Sequence, residues 1–277
     1  MQNIEVKKQE NMKILPILIL LALLVLRIPI LVASRFNLIS FDSNLFLNST
    51  YLLTAILIWI ERKRIFDFNF SITSLLIFVL VPLLKPLFYN FMSAHIPYKN
   101  MPYSMFQAIV ALVLGSLLTW YFIRSHTKIE FKKSHLYWMI ISIIVGIIAG
   151  AGLGLISSLQ SSRGNQNVSF AIFIFLFYTQ VSNAAIAEEP LFRGFLWDYL
   201  RKCKWREHQI YLFQALLFTL AHIYYLNKAP ISLLIIVPIS SLIFGCIVWR
   251  SKTITTSMIV HGLINSLGDM VAHFVWW

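Results

Sequence analysis

VSFAIFIFLFYTQVSNAAIAEEPLFR, residues 168–193, decides the fold. From Val168 to Ala187 it runs twenty residues without a formal charge, about the length a helix needs to cross a bilayer. It ends in adjacent carboxylates, Glu188 and Glu189, with Arg193 four residues after the second. An ionisable group at bilayer depth costs roughly 2.5–3.5 kcal/mol even on lenient insertion scales. Three of them within six residues, in a chain only 12% charged, therefore mark a site.

Outward from this stretch, the 277 residues are 58% hydrophobic. A soluble domain carries about 25% charged residues, so the composition is that of a multi-pass integral membrane protein. Inside lipid, only helices and closed barrels satisfy every backbone group. The apolar runs here are continuous rather than alternating, which excludes a barrel and predicts an all-α transmembrane bundle. The net charge of +12 does not imply nucleic acid, because the basic residues fall in short clusters between apolar runs. Cys203 and Cys246 are far apart and outside any CxxC, so neither a disulfide framework nor a cysteine metal site is expected.

Apolar segments at about 14–33, 45–60, 72–92, 104–123, 136–157, 168–187 (continuing as helix towards 200), 210–226, 231–249 and 254–276 predict eight to nine spans. The second and seventh are short, which leaves room for a re-entrant piece. The first has the length of an uncleaved signal-anchor. With the N-terminus cytoplasmic and all nine crossing, 16 Lys and Arg fall in inside loops and 4 in outside loops. That split supports a cytoplasmic N-terminus, and the plasma membrane is the expected location. The chain divides into an N-terminal region, 1–167, with five candidate spans, and a second region, 168–277, with four. Gly146, Gly150, Gly152 and Gly154 predict close helix packing along the fifth span.

On a helix, neighbours diverge by about 100°, so Glu188 and Glu189 face different directions. Arg193 stands at i+4 from Glu189, the spacing of an intrahelical ion pair, which leaves Glu188 directed elsewhere. Pro190 removes a helical hydrogen bond and predicts a bend. His222 lies on the seventh segment, and His261, Asn265, Asp269 and His273 come at four-residue steps on the last. At 1.5 Å per residue, His222, His261 and Asn265 lie about 18, 10 and 16 Å from the cytoplasmic ends of their helices, so all can meet Glu188 in the cytoplasmic half.

Taken singly, each has a plainer reading. A lone membrane His or Asn is most often packing or interhelical glue. Lys85 and Arg27 read as snorkelling or structural, and Glu-Glu with Arg as a structural pair. These readings explain convergence poorly. A glutamate, two histidines and an asparagine at similar depth form a set that activates water, either directly or through a divalent metal, and stabilises an oxyanion.

Glu188–Arg193, EEPLFR, resembles the EExxxR motif of the CPBP intramembrane proteases, also called the Abi family, which include the type II CAAX prenyl endopeptidases. FTLAH, 218–222, is similar to that family's FxxxH, and HGLIN, 261–265, to its HxxxN/D. All three stand in the family's order, each on its own apolar segment, over roughly Val168 to the end. The five N-terminal spans match no motif. The resemblance implies that Glu188 is the essential base or ligand, with Glu189 and Arg193 as its supporting pair. It implies that His222 works with Glu188 on the water, while His261 and Asn265 stabilise the oxyanion or complete a metal site. Glu188, His222 and His261 are the implied ligands of a zinc-like divalent metal, and a metal-free glutamate mechanism stands beside it.

The expectation is an intramembrane endopeptidase cutting a peptide bond near the cytoplasmic face, in a peptide or lipid-anchored protein substrate at the bilayer. Bacterial relatives are also linked to bacteriocin processing and self-immunity. The rival class is a proton-coupled transporter or non-catalytic membrane protein, since buried acid–histidine sets also mark proton pathways. Asp269 and His273 lie outside the motifs and receive no role.

Overall fold

The computed structural model describes residues 71–95, 133–160, 169–226 and 229–274, with isolated helical positions between 109 and 120. The first and second expected spans, and most of the fourth, lie outside the described residues. All regular structure among the described residues is helical, with no strand among them. The elements are α1 (Ile72–His95), α2 (Lys133–Ser158), α3 (170–202), α4 (Glu207–Ala221), α5 (Ser232–Ser251) and α6 (Ile254–Phe274).

Three stretches, Ile72–Phe91, Lys133–Ser158 and Ser232–Ser251, are long and apolar enough to cross a membrane. The others differ from simple spans for physical reasons. The α4 helix is 15 residues long, about 22 Å, and gives way at His222 to a short 3₁₀ turn, Ile223–Tyr225. The expected crossing over 210–226 is therefore shorter than an apolar core of about 30 Å. In α3 the regular α-helical stretch Phe170–Gln180 is only 11 residues long.

Beyond Gln180, α3 is irregular. A π-helical segment, Val181–Ala185, leads into a single α-turn, Ile186–Glu189, and then into a second π segment, Pro190–Phe195. Regular helix resumes at Leu196–Lys202. Pro190 has no N–H to donate and its ring crowds the preceding turn, and the wider i→i+5 pattern begins at that residue. The two glutamates thus occupy the one α-turn between two widened segments. Such π insertions are frequent at functional sites.

The seam that positions the last helix is α2 against α6. Gly146 faces Leu263, Gly150 faces the Leu263 carbonyl and Leu267, and Gly154 faces Gly268 and Val271. The pairs advance together, so α2 and α6 run parallel. Gly152 differs from expectation: no atom lies within 4 Å of where its Cβ would be, because it points away from this seam. On the opposite side of α2, Ile140, Ile144 and Ile148 are exposed. Apolar residues outward and charged residues inward are the pattern lipid as solvent demands. Lys85 is buried on α1, so its structural reading holds over snorkelling.

One end of the bundle is closed by polar ties. Glu207 accepts from Arg201 Nε at 2.7 Å and from Trp197 Nε1 at 3.0 Å, joining α3 to α4. Burial works against the Glu207 carboxylate, but these two bonds, with the charges of Arg201 and Lys252, hold its pKa below the ordinary glutamate range. Lys252 therefore lies at the same end, in the left-handed turn (φ 57°) between α5 and α6. Ser71 Oγ, at the start of α1, sits 2.9 Å from Thr253 Oγ1 and 3.1 Å from Thr255 Oγ1. The α1 and α6 starts and the α3 and α5 ends therefore share this basic end, matching the relative directions expected from the charge distribution.

Candidate active site

The site forms where α3, α4 and α6 converge, with α5 behind it. Glu189 and Arg193 are fully buried, and Arg193 Nη1 stands 3.3 Å from Glu189 Oε1. The guanidinium is further fixed by α5, where Nη2 donates to Ser241 Oγ at 2.7 Å. Three aromatic rings surround it: Phe218 at 4.2 Å, Phe244 at 5.2 Å and Phe192 at 5.8 Å. A cation taken from water is compensated here by a carboxylate, a hydroxyl and π faces.

The histidines are held by their Nδ1 atoms. His222 is the C-cap of α4, with φ −100° and ψ 16°, in the sparsely populated bridge region where active-site residues recur. Its Nδ1 lies 2.8 Å from the Phe218 carbonyl, an acceptor only, so Nδ1 carries the proton. His261 Nδ1 lies 2.9 Å from Glu189 Oε1, and its ring stacks on Phe244 at 4.6 Å between centroids. Both rings therefore turn Nε2 towards Glu188. His222 Nε2 is 3.8 Å from Glu188 Oε1, and His261 Nε2 is 3.9 Å from Glu188 Oε2. These separations exceed a direct hydrogen bond and suit a bridging species. Glu188 Oε2 is buried with no hydrogen-bond partner among the described residues.

A cavity of about 450 Å³ adjoins the cluster. His222, His261 and Asn265 line it, together with Phe218, Phe244 and Asp269. Glu188 is not among its lining residues and meets it across the two imidazoles. The remaining lining includes Ser157 of α2, Gln160 in the turn that follows it, Gln180 of α3 and Ser232 of α5. All come from the halves of their helices remote from the basic turns. The cavity thus extends from the cluster away from that end. The His273 side chain lies outside the described residues.

The structure thus brings Glu188, Glu189, Arg193, His222 and His261 into one cluster, with Asn265 on the cavity wall beside it. Unlike the expectation, His261 is tied first to Glu189, so the two carboxylates are linked through one imidazole. Asn265 Nδ2 donates to Gln180 Oε1 at 3.1 Å. Gln180, Ser241 and Phe244 did not emerge from the sequence. The only signal was their setting: polar residues inside apolar runs at 179–183 and 240–241. No group of three or more His, Cys, Asp or Glu side chains among the described residues is spaced to hold a metal ion. The donor types nevertheless suit a divalent ion, since each Nδ1 is anchored and each Nε2 is presented.

Fold and site together define a helical membrane protein with a buried acid–histidine cluster. Residues 169–267 match a family described as type II CAAX prenyl endopeptidase Rce1-like, which is part of the CPBP group of intramembrane endopeptidases. The matched region begins at the N-cap of α3 and contains all three motifs. No curated protein and no solved structure matches the chain.

Proposed function

We propose that the protein is an intramembrane endopeptidase in which Glu188 activates water between His222 and His261. The observation that carries this reading is the pair of Nε2 atoms at 3.8 and 3.9 Å from the two oxygens of one buried carboxylate. In the mechanism, Glu188 takes a proton as the water oxygen bonds to the substrate carbonyl carbon. Asn265 donates to the resulting oxyanion. As the C–N bond breaks, Glu188 gives that proton to the leaving amine, directly or by way of His222 Nε2. Glu189 and Arg193 hold His261 and the carboxylate turn in place.

The buried cluster holds two carboxylates against one guanidinium, so one negative charge calls for a proton or cation. A zinc-like metal would be held by Glu188, His222 and His261, would satisfy the same demand and would supply water of lowered pKa. The cavity admits a peptide segment, and a prenylated or otherwise lipid-anchored protein is the substrate class of the family. The cavity runs from the cluster towards the end remote from the basic turns, and cleavage near the cytoplasmic face belongs to the same proposal. Eight to nine spans, a cytoplasmic N-terminus, residence in the plasma membrane and the division at residue 168 belong to the same proposal.

The test is cleavage of a peptide mixture, read by mass spectrometry, by the full chain purified in detergent. Glu188→Gln and His222→Ala each lower turnover by at least about 10²-fold. If both variants remain folded and cleave as the parent does, the reading fails. Chelator treatment with metal analysis of the same preparation separates the metal-bound from the metal-free form.

A further inference from the structure

We infer that Gln180 is a positioning residue for the reaction, fixing the carboxamide of Asn265 so that one N–H is held for the oxyanion. This inference rests on the endopeptidase reading and concerns the same cavity. Asn265 has one acceptor and two N–H donors. One N–H is committed to Gln180 Oε1 at 3.1 Å, which leaves Oδ1 and the second N–H for the cavity that both residues line. Without a partner the carboxamide rotates freely, since its terminal torsion is broad and nearly two-fold. A donor that must reorganise during reaction stabilises charge far less than one already aimed.

The backbone supports the assignment independently. Gln180 is the last residue before the π segment Val181–Ala185. On an unbroken α-helix Gln180 and Glu189, nine residues apart, would point about 180° apart, and Gln180 and Glu188 about 80° apart. A π turn accommodates one more residue per hydrogen-bonded loop and removes about one step of 100°. Gln180 then lies within about 20° of Glu188 and about 80° from Glu189. The insertion thus turns Gln180 to the side on which Glu188 meets its histidines. Gly262 lets α6 approach this segment: a Cβ there would stand 2.6 Å from Val181 Cγ2.

The test compares Gln180→Leu, Gln180→Glu and Gln180→Lys with Asn265→Ala and Glu188→Gln, using the peptide-mixture assay on full-length protein. Glutamate retains the acceptor and keeps kcat within about threefold of the parent. Leucine and lysine lower kcat by about tenfold or more with KM little changed, because lysine offers only donors and inverts the amide. Should the leucine variant fail to fold, the glutamate–lysine pair, similar in reach and opposite in polarity, decides alone. Equal kcat for glutamate and lysine, or a folded leucine variant with parental kcat while Glu188→Gln is inactive, overturns the role of Gln180 and leaves the endopeptidase reading standing. Parental activity in Glu188→Gln removes both.

Discussion

Replacing Arg193 by methionine tests the internal logic of the cluster most directly. The side chain is fully buried, 3.3 Å from Glu189 and 2.7 Å from Ser241 Oγ, with three phenylalanine rings around it. Methionine retains much of the volume but removes the positive charge, leaving Glu189 with hydrogen bonds from His261 and Ser257 and without its guanidinium. Breaking a buried ion pair by removing one partner costs about 3–5 kcal/mol, which lowers the folded-to-unfolded ratio by roughly 10²- to several 10³-fold. Losing the aromatic contacts to the cation adds about 1–2 kcal/mol. The double variant Glu189→Gln with Arg193→Met removes both charges and keeps an acceptor for His261 Nδ1, so it recovers more than half of the loss. Unfolding titrations in lipid nanodiscs, followed by tryptophan fluorescence, measure all three proteins. Charge compensation by Arg193 is refuted if Arg193→Met unfolds within about 0.5 kcal/mol of the parent, the range of an ordinary surface substitution.

The α2–α6 seam predicts opposite outcomes for two neighbouring glycines. A Cβ at Gly150 would lie 2.9 Å from the Leu263 carbonyl oxygen and 2.9 Å from Leu267 Cβ, so Gly150→Ala forces α6 outward. Overpacking of about 1–3 kcal/mol outweighs a helix-propensity gain of about 1 kcal/mol, and turnover falls because His261 and Asn265 ride on α6. Gly152→Ala meets nothing within 4 Å and is neutral or stabilising in the same melts. Glu207 gives a pH signature. Its folded pKa is depressed, so its contribution is fully present above the unfolded value and disappears as pH falls through the folded one. Melting temperatures from neutral to acid pH should fall less steeply for Glu207→Gln than for the parent. A parallel pair of curves would show that the Arg201–Glu207 tie carries no linkage.

The fold class was legible because lipid leaves the backbone few choices, so continuous apolar runs at 72–92, 136–157 and 231–249 read directly as long helices. The three motifs were legible because charged and imidazole groups are conspicuous in such runs. Even the Glu189–Arg193 pair followed from i+4 spacing. The misses of sequence periodicity have one main cause. It assumes a constant 100° per residue, and α3 departs from that twice, at Val181–Ala185 and Pro190–Phe195. Gln180, on the far side of the first departure, was therefore read as part of an uncharged run. The depth of His261 along the last helix says nothing of its ring nitrogens; Nδ1 meets Glu189 while the ring stacks on Phe244. Ser241 and Phe244 come from α5, which carries no motif, so only packing reveals them. The early break of α4 at His222 is a matter of backbone conformation, invisible in an apolar run that continues to Leu226.

The way the two imidazoles are tethered makes them unequal in handling protons. At His222 the Nδ1 proton is locked on a backbone carbonyl, which has no chemistry to receive it. On the endopeptidase reading, a proton gained at Nε2 leaves by the face it entered, towards the cavity and the nitrogen of a departing amine. His261 is open at both ends, with the Glu189 carboxylate behind Nδ1. On that reading the first ring is a shuttle with a closed back. The second joins the reacting face of the site to its buried charges.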